Sequence, residues 1–302
     1  MEDINKRIEE LKKEKDAVIL AHYYTDGQVQ AVADYVGDSY YLSKVATEIP
    51  QKVILFCGVS FMGESAKILN PEKTVIMPDT YADCPMAHMA DVDKIKEIRD
   101  SYEDVAVVCY INSTAEIKAA SDVCVTSSNA VKIVNALPDH NIYFIPDGNL
   151  GRYTAKMIPD KNFIFNDGFC HVHTSIKPGE LKKAKELHPE ALVLAHPECT
   201  WDVLELADYI GSTSGIIDFA VKSDAKAFII CTEMGILYEL KLKKPEKKFY
   251  SVGHRQFCPN MKRITTEKVL EQLEKLSNTV ELNEELYSKA NKALDRMLAL
   301  AK

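Results

Sequence analysis

Three cysteines, Cys84, Cys170 and Cys258, stand in polar, turn-like surroundings (ADCPMAH, DGFCHVH and RQFCPNM) and follow one another at intervals of 86 and 88 residues. A lone buried cysteine is most simply a small apolar side chain, and Cys57, Cys109, Cys124 and Cys231 read that way because they lie inside apolar runs. Thiols held at one phase of a repeat have a geometric reason to meet, and converging thiolates bind metals. Two chemistries are open. A tetrahedral zinc site would complete the trio with a histidine, for which His88, His171, His173 and His254 are candidates. A cubane iron-sulfur cluster on three cysteines would instead leave one iron free to act on substrate as a Lewis acid.

The cysteines belong to a threefold internal repeat, the feature to read before any single motif. A short apolar run ends each time at an anchor: His22, Tyr110 or His196. Twelve residues on stands an aspartate (Asp34, Asp122, Asp208), and seventeen on a hydroxyl (Ser39, Ser127, Thr213). A proline, an acid and a lysine then begin at Pro71, Pro159 and Pro245, 49 residues from each anchor. Two residues past the anchors stand Tyr24, Asn112 and Glu198; the one carboxylate among them, Glu198, is the candidate general acid or base. The hydroxyls each precede a helical stretch and read first as N-caps, a role compatible with binding carboxylates or phosphates at the helix start.

The elements that must position these residues follow from hydrophobic spacing. The runs at 18–21, 106–109 and 192–195 suit strands buried on both faces, which belong to parallel sheets. Apolar residues at helical spacing come next, then three further strands per copy, at 35–37, 53–56 and 74–77 in the first. This α/β pattern predicts three αβα sandwich domains, each with a small parallel sheet, related by a pseudo-threefold axis around a central active-site cavity. The expected units are 1–86, with the C-terminal helices of 266–302 packed on it, then 87–172 and 173–265. Ligands of open α/β sheets bind at the carboxyl ends of strands, where all three anchors fall.

A net charge of -8 argues against a nucleic-acid partner but leaves small anions open. Residues 1–17 lack the apolar core of a secretory leader, and no run is long enough to span a bilayer, so a cytoplasmic protein with no membrane partner is expected. There its eight cysteines would be free, metal-bound or catalytic.

Taken in order, the segments AHYY, GDS, DTYADC, YINST, TSSN, GFCHVH, HPEC, GST and Cys258 with its trailing Asn-Met-Lys resemble the quinolinate synthase family, the A protein of bacterial and archaeal NAD biosynthesis. The resemblance covers nearly the whole chain. It implies a 4Fe-4S cluster on Cys84, Cys170 and Cys258, and condensation of iminoaspartate with dihydroxyacetone phosphate to give quinolinate, phosphate and water. It implies substrate contacts at His22, Ser39, Tyr110, Ile111, Asn112, Ser127, His196, Pro197, Glu198 and Thr213. On that reading Glu198 and Tyr24 move protons, Tyr110, His22 and His196 orient the substrate, and an aspartate oxidase or dehydrogenase is the metabolic neighbour. The sequence departs from the family at Tyr23 and Thr25, where asparagine and glutamine are frequent, and at Asp83, where glycine is common. Cys258 is the last cysteine, so the extra C-x-x-C redox switch of some members is not expected. The rival readings are a zinc-dependent lyase or hydrolase and a non-catalytic iron-sulfur sensor.

Overall fold

In the computed structural model, which describes residues 2–253 and 256–302, the described strands form three four-stranded parallel sheets. The first unit contains β1 (Ala17–His22), β2 (Tyr35–Gly37), β3 (Val53–Cys57) and β4 (Thr74–Ile76). The second contains β5 (Val105–Tyr110), β6 (Val123–Val125), β7 (Asn141–Ile145) and β8 (Asn162–Phe165). The third contains β9 (Leu192–Ala195), β10 (Tyr209–Ile210), β11 (Ala227–Cys231) and β12 (Lys248–Ser251). Each sheet is ordered second, first, third, fourth strand, with helices in the connections. The expected α/β architecture of three αβα units is therefore what the chain forms.

The repeat holds residue by residue. Leu20 pairs with Tyr35, Val108 with Val123 and Leu194 with Tyr209, so the register is the same in all three sheets. Two features of the sequence pattern turn out to be structural fasteners. The repeated aspartates each accept the backbone N–H of the first strand, from Ile19 to Asp34 at 2.8 Å, Val107 to Asp122 at 2.7 Å and Val193 to Asp208 at 2.7 Å. Lys73, Lys161 and Lys247 each donate to two carbonyls at the end of a helix: Ala46 and Ile49, Leu137 and Asp139, and Ala220 and Ser223. They satisfy acceptors that a helix C-terminus leaves open.

Apolar burial divides the molecule unevenly. One continuous core runs through the first two units, whereas the third keeps separate clusters on the two faces of its own sheet, around Val193 and Ile229 on one side and Leu194 and Phe228 on the other. The helix Thr266–Lys275 lies on the first unit, against the helix Glu2–Glu14. The last helix, Glu284–Leu300, was expected there too but packs chiefly on the helix Ala115–Ala119 and β6 of the second unit, touching the first at the helix Ser60–Leu69. Its buried stripe of Ala290, Ala293, Leu294 and Met297 allows close approach to an alanine-containing partner helix. No helix among the described residues is long and apolar enough to cross a membrane.

Candidate active site

The anchors end the first strand of each sheet or follow it, at the point where the strand order reverses, and their side chains line one cavity between the units. His22, Tyr24, Ser39, Tyr110, Asn112, Ser127, His196, Glu198, Thr213, Cys84, Cys170 and Cys258 all contribute to its wall. Ile111 and Pro197 are buried beside it without lining it. Ile111 continues the sheet instead, its N–H donating to the Val125 carbonyl at 2.9 Å.

Glu198 is buried at the centre of a chain of hydrogen bonds. Its Oε1 accepts from the Tyr110 hydroxyl at 2.5 Å, and its Oε2 lies 2.6 Å from His173 Nδ1. The other nitrogen of His173 is 2.9 Å from Thr232 Oγ1, which is 2.8 Å from the Tyr24 hydroxyl, itself 2.8 Å from Thr213 Oγ1. Burial pushes the Glu198 carboxyl up, but the His173 and His196 rings and the bonds from His173 and Tyr110 outweigh it and hold the carboxyl below its usual range. Burial and the Glu198 charge raise both Tyr24 and Tyr110, keeping them protonated donors.

The two histidine anchors share one arrangement. His22 Nδ1 accepts the Tyr24 N–H at 3.1 Å and His196 Nδ1 the Glu198 N–H at 3.3 Å, which leaves the proton of each neutral ring on Nε2. His196 Nε2 donates to Ser127 Oγ at 3.1 Å. Burial pushes both rings down to about 3, against the opposing pull of Glu198. An unfolded histidine takes up its proton near 6.5, so between about pH 6.5 and about pH 3 the unfolded chain binds more protons than the native one. Their contribution is complete above that window and is lost as pH falls through it, at about 1.4 kcal/mol per pH unit for each histidine. Urea unfolding between those limits will show a shallower pH slope in His22→Asn and in His196→Asn; an unchanged slope in both would contradict the neutral assignment.

The hydroxyls are not the caps. Asp38 and Ser212, one residue earlier, cap the helices Ser39–Glu48 and Thr213–Lys222, which frees Ser39 and Thr213 at the first helical position beside the cavity. In the second unit Asn129 begins the helix Ala130–Ala136, and Ser127 is left to His196. The Asn112 side-chain oxygen is buried without a partner on the wall, an acceptor awaiting a donor.

The three cysteines are partly buried, and each begins or precedes a single helical turn. The Cys84 sulfur faces the N–H groups of Ala87 and Met86, Cys170 that of His173, and Cys258 those of Met261 and Asn260. Burial nevertheless pushes the Cys84 thiol up to about 12 and raises the other two, so a bound cation is needed to make them thiolates. Three sulfurs with backbone donors in one cavity fit a thiolate-ligated metal or cluster. Asp83 has a local role: its Oδ1 accepts the Cys84 N–H at 2.7 Å, and Oδ2 lies 2.6 Å from His88. Cys57, Cys109, Cys124 and Cys231 are core residues, and Cys199 is buried behind Glu198 with its sulfur directed at the Cys231 carbonyl.

Of the four histidines weighed as a fourth ligand, His173 is buried beside Cys170, at 3.1 Å. His171 reaches the cavity wall, His88 is exposed, and His254 lies outside the described residues. One ligand atom each from Cys170, His173 and Glu198 lie within 4.8 Å of one another. Sequence reasoning missed Thr232 and Glu233. Glu233 stands 37 residues after its anchor, where Asp147 stands in the second copy, a shared phase that could have drawn notice.

Fold and cavity define an enzyme class: three repeated α/β units enclosing a site of thiols, hydroxyls and buried carboxylates, with Glu198 among them. Residues 6–299 match the family described as quinolinate synthetase A protein. The chain is 55% identical over 295 residues to a quinolinate synthase of Fusobacterium nucleatum, covering 98% of each. It is 51% identical over 301 residues to one from Caldicellulosiruptor saccharolyticus, covering 100% of this chain and 99% of the relative. It is also 47% identical over 303 residues to quinolinate synthase 2 of Methanosarcina acetivorans, covering 100% and 97%. The chain belongs to the quinolinate synthetase A protein family, a family of enzymes, and the non-catalytic sensor reading is set aside.

Proposed function

We propose that this chain makes quinolinate for NAD biosynthesis by condensing iminoaspartate with dihydroxyacetone phosphate, with release of phosphate and two waters. The observation that carries the reading is the meeting of three phase-matched cysteines with the Glu198–Tyr110 pair in one cavity of a family member. Cys84, Cys170 and Cys258 would hold a 4Fe-4S cluster, which when bound supplies an open iron as a Lewis acid toward a substrate oxygen.

The chain's own groups do the rest. Glu198, ionised and hydrogen-bonded, takes a proton from substrate, and the protonated Tyr24 and Tyr110 hydroxyls return protons to departing or developing oxygen. Among the described residues no lysine or arginine lines the cavity, so anionic groups are met by neutral donors. These are the Nε2–H groups of His22 and His196, the hydroxyls of Ser39, Ser127 and Thr213, and the helix starts at Ser39 and Thr213. Asn112 offers its unpartnered oxygen to a substrate N–H or O–H. Ile111 and Pro197 act through the backbone they carry, setting the direction of their neighbours. The free cysteines suit a reducing cytoplasm, where an aspartate oxidase or dehydrogenase would supply unstable iminoaspartate.

One observation favours a second reading: the close approach of Cys170, His173 and Glu198 suits a zinc ion and hydrolytic or lyase chemistry. Anaerobically purified protein decides between them. About four iron and four sulfide per chain, with quinolinate formed from the two substrates, supports the synthase reading. Cluster-loaded protein that forms no quinolinate would overturn it, and zinc without sulfide in iron-supplied cells would favour the second.

A further inference from the structure

At the cavity wall, an ion pair between buried Glu233 and partly buried Lys262 ties two units together at a point none of the roles above requires. Glu233 is fully buried just past the end of β11. Its Oε1 accepts the Cys258 N–H at 3.0 Å and lies 3.1 Å from Lys262 Nζ, while Oε2 accepts the Gly235 N–H at 2.5 Å. Lys262, four residues beyond Cys258, returns its own N–H to the Cys258 carbonyl at 3.1 Å and closes the turn. Its ammonium then donates across to the first unit, to the Tyr24 carbonyl at 2.7 Å.

Two further contacts reinforce the crossing. Gln30 Nε2 donates to the carbonyls of Tyr23 at 2.9 Å and Gly235 at 3.2 Å, one in each unit. A Cβ at Gly235 would stand 2.5 Å from the Tyr23 carbonyl oxygen and 2.7 Å from the Tyr24 Cα, so only glycine permits this approach. The sheet of the third unit keeps its own apolar clusters, and its apolar contact with the first unit runs through Tyr23 on one side and Met261 and Ile264, next to Lys262, on the other, so these polar ties sit within that seam.

We propose that Glu233 and Lys262 are positioning residues that lock the turn carrying Cys258 to the backbone of Tyr24, so that the third thiol donor and a proton-carrying tyrosine keep one fixed relation. Glu233 holds the sulfur's own backbone, and Lys262 carries that constraint to the tyrosine. Removing Lys262 leaves a buried carboxylate without its cation and a tyrosine carbonyl without its donor, so both ends loosen together. An ion pair that served stability alone would change the unfolding midpoint and leave iron retention and turnover where they were.

The inference rests on the reading of Cys258 as a ligand, and the test separates the two. Protein loaded anaerobically with iron and sulfide is exposed to a ferrous chelator, and the rate of iron loss is followed beside kcat and KM for quinolinate formation. Lys262→Met should speed iron loss by about fivefold or more and lower kcat by about tenfold, with KM moving less than about twofold. Lys262→Arg should recover most of both effects. In a Tyr24→Phe background the substitution should no longer lower kcat, and Glu233→Gln combined with Lys262→Met should be no worse than the poorer single variant. Lys247→Met, which removes a buried lysine from a helix end in the same unit, should lower the melting temperature without speeding iron loss. Wild-type protein that takes up no cluster would sink the ligand reading. Normal loading with wild-type iron loss and kcat in Lys262→Met, or equal iron loss in Lys247→Met, would sink the positioning role. Should Lys262→Met not fold, Glu233→Gln and Lys262→Arg carry the same comparison.

Discussion

Replacing Glu198 with glutamine will lower kcat by about 10²–10⁴-fold and leave the iron and sulfide content of the protein unchanged. The carboxylate sits between two donors, Tyr110 at 2.5 Å and His173 at 2.6 Å, and both of its oxygens are engaged. Glutamine keeps the shape but offers one acceptor, so its amide must turn N–H toward one of the two partners. It also cannot take a proton. Tyr110→Phe will cost less and will add little to Glu198→Gln, because residues that act as a unit are not additive. Glu198→Gln protein retaining more than half of wild-type turnover would remove this carboxylate from the chemistry.

The second large effect belongs to the cysteines. Alanine at Cys84, Cys170 or Cys258 will in each case abolish stable iron and sulfide uptake and bring turnover below about 1% of wild type, since three thiolates leave no redundancy in the donor set. Alanine at Cys57, Cys199 or Cys231 will retain the cluster, because these sulfurs are buried away from the cavity. His173→Ala distinguishes the two metal readings. With a three-cysteine cluster it keeps its iron and loses turnover; with a Cys-His-Glu zinc site it loses the metal as well. Full iron and sulfide in Cys84→Ala would rule out that cysteine as a ligand.

Much of this site was legible because a repeat imposes its phase on both backbone and side chains. His22, Tyr110 and His196 could be aligned without any structure, and equal register in three sheets is what brings them to one place. The fasteners shared that phase but hid their purpose. An aspartate twelve residues past an anchor looks like a solvated charge until the neighbouring strand's N–H is seen to need it, as Val193 needs Asp208. The capping role assigned to Ser39 and Thr213 was displaced by one residue, because Asp38 and Ser212 are equally good acceptors and sequence alone does not fix where a helix starts. His173 and Thr232 form contacts between units, and Glu233 supports one through Lys262; such contacts depend on how the units dock. The last helix shows the same limit: the stripe of Ala290, Leu294 and Met297 declared that one face would be buried, but not against which unit.

The hydrogen bonds across the cavity have a consequence for how tightly anything can be held there. Tyr110 with Glu198, Tyr24 with Thr213, and His196 with Ser127 each satisfy a group of one unit with a group of another. At these positions an arriving molecule therefore meets a competitor and gains only the difference between its own bonds and the internal ones it displaces. Affinity for any fragment is correspondingly modest. Discrimination is steep, because a molecule that parts such a pair and replaces only one side leaves a buried donor or acceptor unanswered, a penalty of about 1–3 kcal/mol for each.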